Sequence, residues 1–381
     1  MRDGVLIAGG GLAAQRCCET LRRGGYEAPI RIVCAEDRAP YDRPPLSKQL
    51  LAGTMDAAAL TFRDADWYAE HDVELLLGSA AAGLDADRRR LRLEGGEELA
   101  FEHLLIATGS VPRRLPGTGG RDDVFALRTA ADAARLRPHL RPGSRLLVVG
   151  MGFIGQEVAA TARELGVEVT ALEAAPVPLA AILGERLGHW FAAMHAGEGV
   201  EVVLGTGLAR LHDGEAELAD GRRIGFDAAV LGVGVAPATG WLDDTGLVGE
   251  RGAIAVDASS RTAAPGVYAA GDVTGHQHWE AAVRQGSDAA RAMLGREPGP
   301  AAPSYFWSDQ YGVRIQCVGS PRGADAVLVE GDQRARDFTA VFHRGRTPVA
   351  ALLVGRPQAM PAMRRLIAGH PEHQQQQRRA A

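Results

Sequence analysis

The 381-residue chain is 46% hydrophobic and 23% charged, with a net charge of −5, which suits two or three globular domains with a substantial core. Mild acidity without a basic tract gives no sign of nucleic-acid binding, and no apolar run approaches the ~18 residues of a membrane-spanning helix. A strand stands where a leader's apolar stretch would lie, so the cytoplasm is the expected location.

The chain opens with "GVLIAGGGLAA" (4–14), a buried strand, a glycine turn and a helix that runs through Arg23. Gly9, Gly11 and Ala14 fit G-x-G-x-x-G/A: a tight turn, a backbone that a pyrophosphate can approach, and a small residue for close helix–strand packing. Leu12 and Ala13 begin the helix, whose first N–H groups would face the phosphates. The next strand, "IRIVCAE" (30–36), ends on Glu36, an acid placed to accept from ribose hydroxyls. "HLLIATGS" (103–110) is a further apolar strand stopped by glycine.

The device then repeats. "SRLLVVGMG" (144–152) leads into a helix, with Gly150, Gly152 and Gly155 in register, Phe153 and Ile154 at the helix start, and Glu173 closing the next strand "VEVTALE". Two ordered copies of strand, loop, helix, strand and acid predict two Rossmann-like dinucleotide sites. "DAAVLGVGVAP" (227–237) and "GVYAAGDV" (266–273) read as two more glycine-stopped strands. After the Pro- and Gly-rich 296–304 come four short antiparallel strands and a helix over 361–369, then a polar tail (372–381) expected to be disordered. The expected fold is therefore α/β, with two Rossmann-like domains and a C-terminal α+β interface domain.

Cys17, Cys18, Cys34 and Cys317 make no C-x-x-C pair, and neighbouring Cys17 and Cys18 point to different sides of their helix. All four are expected to be reduced and structural. His276 and His278 lack a third ligand, so no metal is expected.

The tandem units resemble the flavoprotein disulfide reductases, which implies FAD in the first unit and a nicotinamide dinucleotide in the second. Three stretches narrow the resemblance: "PYDRPPLSK" (40–48), "HWEAAVRQG" (278–286) and "FWSDQYGVRIQ" (306–316) look like the FAD-dependent ferredoxin reductases of oxygenase electron-transfer chains, a group that includes putidaredoxin and rubredoxin reductases. In the wider superfamily a redox-active cysteine pair lies where this chain reads "PYDRPPLSK", without sulfur.

The resemblance implies residue roles. Arg43, Pro44 and Lys48 would lie beside the flavin ring, with Lys48 near N5 and Pro44 on the face away from the nicotinamide. Ala81 would meet the adenine side, and Thr108 and Gly109 would mark the crossover out of the FAD domain. Arg128, Gly271, Asp272, Trp279 and Trp307 would complete the FAD site, Asp272 accepting from the ribityl hydroxyls. Glu157 would sit near the nicotinamide amide, paired with Lys48, and Gly232, Val233 and Gly234 would cover the nicotinamide side. Gln277 and Ala281 stand where relatives commonly carry an acid and an asparagine.

The implied boundaries are 1–112 with 236–300 for FAD, 113–235 for NAD and 301–381 for the interface domain. The implied activity is NADH oxidation with electrons passed singly to a [2Fe–2S] ferredoxin that feeds an oxygenase. A rubredoxin reductase, an NADH oxidase and an NADH-sensing interaction module are the rival readings. Monomer and homodimer both stay open.

Overall fold

The computed structural model describes residues 3–369; the tail over 372–381 lies outside them. Its first parallel sheet has the order Val267–Ala269, His103–Ile106, Val5–Ala8, Ile30–Val33, Val73–Leu76. Both faces of its central strand are buried, as expected of a parallel sheet covered on both sides. Side chains alternate: Val5 and Ile7 join the core under the helices Leu12–Arg23 and Trp279–Met293, while Leu6 and Ala8 face a three-stranded antiparallel sheet (Ala81–Asp85, Arg90–Leu93, Glu98–Ala100). The two helices approach closely at Gly286, where a Cβ would collide with the Ala13 carbonyl.

A second parallel sheet repeats the plan, in the order Glu201–Leu204, Glu168–Glu173, Arg145–Val149, Ala228–Leu231, Val124–Phe125. Leu146 and Val148 pack with residues of the helix Phe153–Glu164; Leu147 and Val149 pack with Ala216 and Leu218 of another three-stranded antiparallel sheet. The chain enters and leaves this unit through Ser110–Pro112 and Val235–Pro237, paired antiparallel.

The last five strands form an antiparallel sheet, Tyr305–Gln310, Val313–Gly319, Thr347–Val354, Asp337–Arg344, Ala326–Asp332. The helix Met360–Ala368 covers one face through Met360 and Ile367. The helix Ala180–Gly197, from the second unit, covers the other through Leu183, Leu187 and Phe191.

The structure differs from the sequence reading in places. The strand expected to end on Glu36 stops at Val33. The single strand expected over 227–237 is two, in different sheets, because Gly234 takes a positive φ of 93° and turns the chain. The two small antiparallel sheets have no counterpart in the sequence reading; their strands are short, charged and interrupted by glycine, which gives weak β periodicity. Among the described residues no helix is long and apolar enough to cross a membrane.

Candidate active site

The strands of the first sheet end at a cavity of 470 Å³ whose walls come from both parallel units and the C-terminal sheet. Gly9 sits behind it with φ 122°, and a Cβ there would collide with the Ala107 carbonyl, so only glycine makes this turn. A Cβ on Gly11, by contrast, would meet nothing. Gly11 caps its helix without a side-chain hydrogen bond, and the first turn holds no acid, which leaves its N–H groups ready for an anion. Leu12, Ala13, Leu46, Ala107, Leu127 and Ala270 give the cavity an apolar lining. An open glycine cradle, an uncapped helix start and apolar walls fit a bound flavin dinucleotide.

Polar groups enter at chosen points. Asp272 accepts from Ser110 Oγ at 2.6 Å and from Arg128 Nη2 at 2.9 Å. Burial, with Arg43 close by, pulls the Arg128 guanidinium below its ordinary value. Arg43 donates to the Arg128 carbonyl and, at 2.8 Å, to Glu36. Thr108 Oγ1 donates to the Ala238 carbonyl at 2.8 Å, and the Gly109 carbonyl accepts from Ala238 N–H, tying the crossover strands together.

Lys48 and Glu157 meet as expected on the cavity wall. Lys48 Nζ lies 2.7 Å from Glu157 Oε2 and also donates to the Pro44 carbonyl at 3.0 Å. The pair is nearly dry, with side chains 11% and 3% exposed. Ser47 Oγ donates to the same Glu157 oxygen at 2.5 Å, and Ser308 Oγ donates to the other at 2.7 Å. Lys48 belongs to the loop that follows "RPPL", held in place by Thr161, whose hydroxyl donates to the Ser47 carbonyl at 2.7 Å. Glu157 lies on the helix of the second glycine loop, so the ion pair joins the two units.

The second loop repeats the first in detail. Gly150 has φ 97°, and a Cβ there would come 2.5 Å from the Gly232 carbonyl oxygen; a Cβ on Gly155 would collide with the Gly150 carbonyl. Gly152 caps its helix without a side-chain bond, and again the first turn carries no acid. This cradle fits a second pyrophosphate. Glu173 accepts from Met151 N–H at 3.0 Å and Ala175 N–H at 2.9 Å, which fixes its carboxylate at the edge of the loop. Gly232 and Gly234 pair with Val149 and Arg113, and Val233 lies between them. Of this unit's expected residues only Phe153, Ile154 and Glu157 reach the shared cavity.

The expected first-unit residues are brought together on the cavity lining with four exceptions, the first being Gly9 in the turn behind it. Ala14 is buried in the core behind the loop. Glu36 stands outside the cavity lining, its carboxylate bonded to Tyr41 Oη at 2.6 Å and to Arg43. Ala81 also lies off the cavity, packed against the core beneath the sheet. Trp279 and Trp307 do line it, with ring centroids 5.6 Å apart and an edge-to-face angle of 72°. Trp279 Nε1 donates to Asp42 at 2.9 Å.

Sequence reasoning missed Ser47, Asp42, Tyr41, His278, Phe306 and Ser308. A signal for Ser308 exists: with Phe306 and Gln310 it shares the inward face of a strand, so small polar groups stand where the alternation calls for apolar ones. His278 stacks on Phe306 (centroids 5.3 Å apart), and His276 bonds to Thr274 at 3.1 Å. Burial pulls both imidazoles below their ordinary value. Among the described residues no group of three or more His, Cys, Asp or Glu is placed to hold a metal. All four cysteines are free, buried and absent from the cavity lining.

The chain matches the pyridine nucleotide-disulphide oxidoreductase family over residues 3–286 and the reductase C-terminal family over residues 305–380. It is 36% identical over 379 residues to the benzene 1,2-dioxygenase system ferredoxin–NAD(+) reductase subunit of Pseudomonas putida, covering 95% of this chain and 90% of that protein. To the biphenyl dioxygenase system ferredoxin–NAD(+) reductase component of Paraburkholderia xenovorans it is 37% identical over 357 residues, covering 88% and 85%. Among solved structures it resembles the covalent putidaredoxin reductase–putidaredoxin complex with a TM-score of 0.91 at 30% identity, covering 96% of this chain and 93% of that one. The two glycine cradles and the sheet that closes their cavity agree with these likenesses, and we conclude that the chain belongs to the pyridine nucleotide-disulphide oxidoreductase family, as an oxidoreductase that uses FAD and NAD(H).

Proposed function

We propose that this protein oxidises NADH and passes the electrons singly to a [2Fe–2S] ferredoxin that serves an oxygenase. One observation carries the reading: the cavity that fits the flavin is lined by an ammonium–carboxylate pair and by no cysteine. A thiol relay has nothing to run through, so the exit for electrons is direct transfer to a docked carrier. The ferredoxin reductases among its relatives support the carrier's identity. In this reading residues 1–112 and 236–300 form the FAD-binding domain, 113–235 the NAD-binding domain and 301–381 the interface domain, with Phe306 and Trp307 on the cavity wall.

FAD, when bound, supplies the two-electron uptake and the one-electron release. The chain's own residues align and exclude water. The first cradle would hold one pyrophosphate through Gly9, Gly11 and the helix start, and the second would hold the other through Gly150, Gly152 and Gly155. Lys48, clamped by Pro44 and Glu157 on the cavity wall, would offer a positive charge to the negative charge that a reduced flavin gains. Arg128 and Asp272 fix the polar edge of the site, and Trp279 and Trp307 form its wall toward the C-terminal sheet. Glu173, at the edge of the second cradle, would accept from the adenosine ribose of NADH. Purified enzyme given NADH and, in turn, [2Fe–2S] ferredoxins, rubredoxins and oxygen tests this reading. Fastest turnover with a ferredoxin supports it, and turnover with oxygen or rubredoxin alone overturns it.

A further inference from the structure

A hydrogen-bonded chain runs inward from the junction of the second unit with the C-terminal sheet, and its direction follows from one carbonyl. Gln156 Nε2 lies 2.8 Å from the Met151 carbonyl oxygen, which only accepts. The Gln156 amide is therefore oriented with Oε1 toward His195 Nε2, 3.2 Å away. Because that oxygen also only accepts, His195 carries its proton on Nε2. The same N–H faces Gln310 Oε1 at 3.1 Å, and Nδ1 accepts from Tyr311 Oη at 2.7 Å. With its oxygen turned to His195, Gln310 donates from Nε2 to Ser308 Oγ at 3.0 Å. The Ser308 hydroxyl is left to donate to Glu157 Oε1 at 2.7 Å.

We propose that Ser308, Gln310 and His195 are positioning residues, a one-way relay through which the C-terminal sheet holds the Glu157 carboxylate in place against Lys48 at the cavity. The proposal rests on the role given to Lys48 above. Its physical basis is the cost of an ion pair in a dry site. A carboxylate and an ammonium removed from water relax to the neutral pair unless further donors hold the carboxylate. Glu157 receives those donors from both sides, Ser47 from the FAD unit and Ser308 from the C-terminal sheet.

The relay itself is fully buried, and burial pulls the His195 imidazole down to about 4, so it stays neutral and keeps its tautomer at working pH. The charged groups at its outer end are the paired Arg336 and Glu198, with Arg163 and Glu164 also acting on Tyr311. Both signs are represented there, and none lies between His195 and Glu157 in the chain of bonds. The C-terminal sheet thus acts on the reacting site through this relay as well as by closing its cavity.

The test uses full-length, FAD-loaded enzyme in four variants: Ser308→Ala, Ser308→Thr, Gln310→Glu and, as a control, Lys48→Met. Two quantities are read against pH: the stopped-flow rate of flavin reduction by NADH, and the visible absorbance of the flavin without NADH. Losing one donor to a carboxylate changes its proton affinity about 10- to 150-fold. Ser308→Ala should therefore move the acid transition in both readouts up by about one to two pH units, and Ser308→Thr should restore it. Gln310→Glu is nearly isosteric but offers Ser308 no donor and draws its hydroxyl away, so it should shift the transition in the same direction. It decides the matter if Ser308→Ala does not retain FAD. Transitions that coincide with wild type in both Ser308→Ala and Gln310→Glu, or in Gln310→Glu alone where Ser308→Ala is lost, overturn the relay. If Lys48→Met is reduced at the wild-type rate, the role of Lys48 has failed instead, and the absorbance titration still judges the relay.

Discussion

Treating the native protein with iodoacetamide should leave NADH-driven electron transfer intact. Burial pushes the Cys18, Cys34 and Cys317 thiols up to about 12 and raises Cys17 as well. At pH 8 a thiol with a pKa of about 12 is ionised in about one molecule in 10⁴, against about one in four for an ordinary cysteine near 8.5. A more basic thiolate is more nucleophilic, which returns part of that difference. Alkylation should still be about 40- to 100-fold slower than for a free cysteine, before steric exclusion is counted. Intact-mass spectrometry after timed alkylation, with ferredoxin reduction assayed on the same samples, measures both quantities. A folded variant with all four cysteines replaced by Ser or Ala should likewise retain activity. Rapid labelling of the native protein with parallel loss of carrier reduction would refute the reasoning and point to a dithiol in the electron path.

Three other outcomes are expected. NADH should be preferred to NADPH, because a 2′-phosphate would meet the Glu173 carboxylate, held by two backbone N–H groups; loss of one charge-assisted hydrogen bond corresponds to about 10- to 150-fold in kcat/KM. Glu173→Arg should narrow that gap, and equal kcat/KM values for wild type would contradict the assignment. Lys48→Met should keep FAD bound yet slow flavin reduction in single-turnover stopped flow; an unchanged rate would leave Lys48 a purely structural role. His195, at about 4 when folded against 6.5 for the free imidazole, binds its proton only in the unfolded chain between those values. Folding stability should thus rise with pH across that window and fall by about 3 kcal/mol as pH drops from 6.5 to 4. Thermal melts of His195→Phe should show a weaker dependence there, and an identical slope would contradict the assignment.

Much of the architecture is legible because its signals are local. Gly9 and Gly150 each follow a four- or five-residue apolar strand and precede a helix of alternating small and large residues, all within about 20 positions. Four of the five strands of the final sheet, and the helix after them, are readable for the same reason. What stayed hidden depends on distance in the chain. Glu36 looks free in sequence, but the turn at 37–43 folds Tyr41 and Arg43 back onto it. Ser308 and Gln310 read as ordinary strand residues until the sheet is laid against Glu157 and His195, more than 100 positions earlier. Ala81 is assigned to the adenine side by resemblance alone, and it begins a small antiparallel sheet off the cavity lining. Local pattern thus locates the cradles, and only the packed fold shows which polar groups are already engaged.

The most direct test of the account is a stoichiometry. Under strict exclusion of oxygen, FAD-loaded enzyme is mixed in stopped flow with limiting NADH and excess oxidised [2Fe–2S] ferredoxin, and NADH loss and ferredoxin bleaching are followed together. Single-electron exit from a cysteine-free cavity predicts two ferredoxins reduced for each NADH, with no lag and no effect of prior alkylation. NADH consumed without ferredoxin bleaching, or bleaching that prior alkylation abolishes, would contradict it.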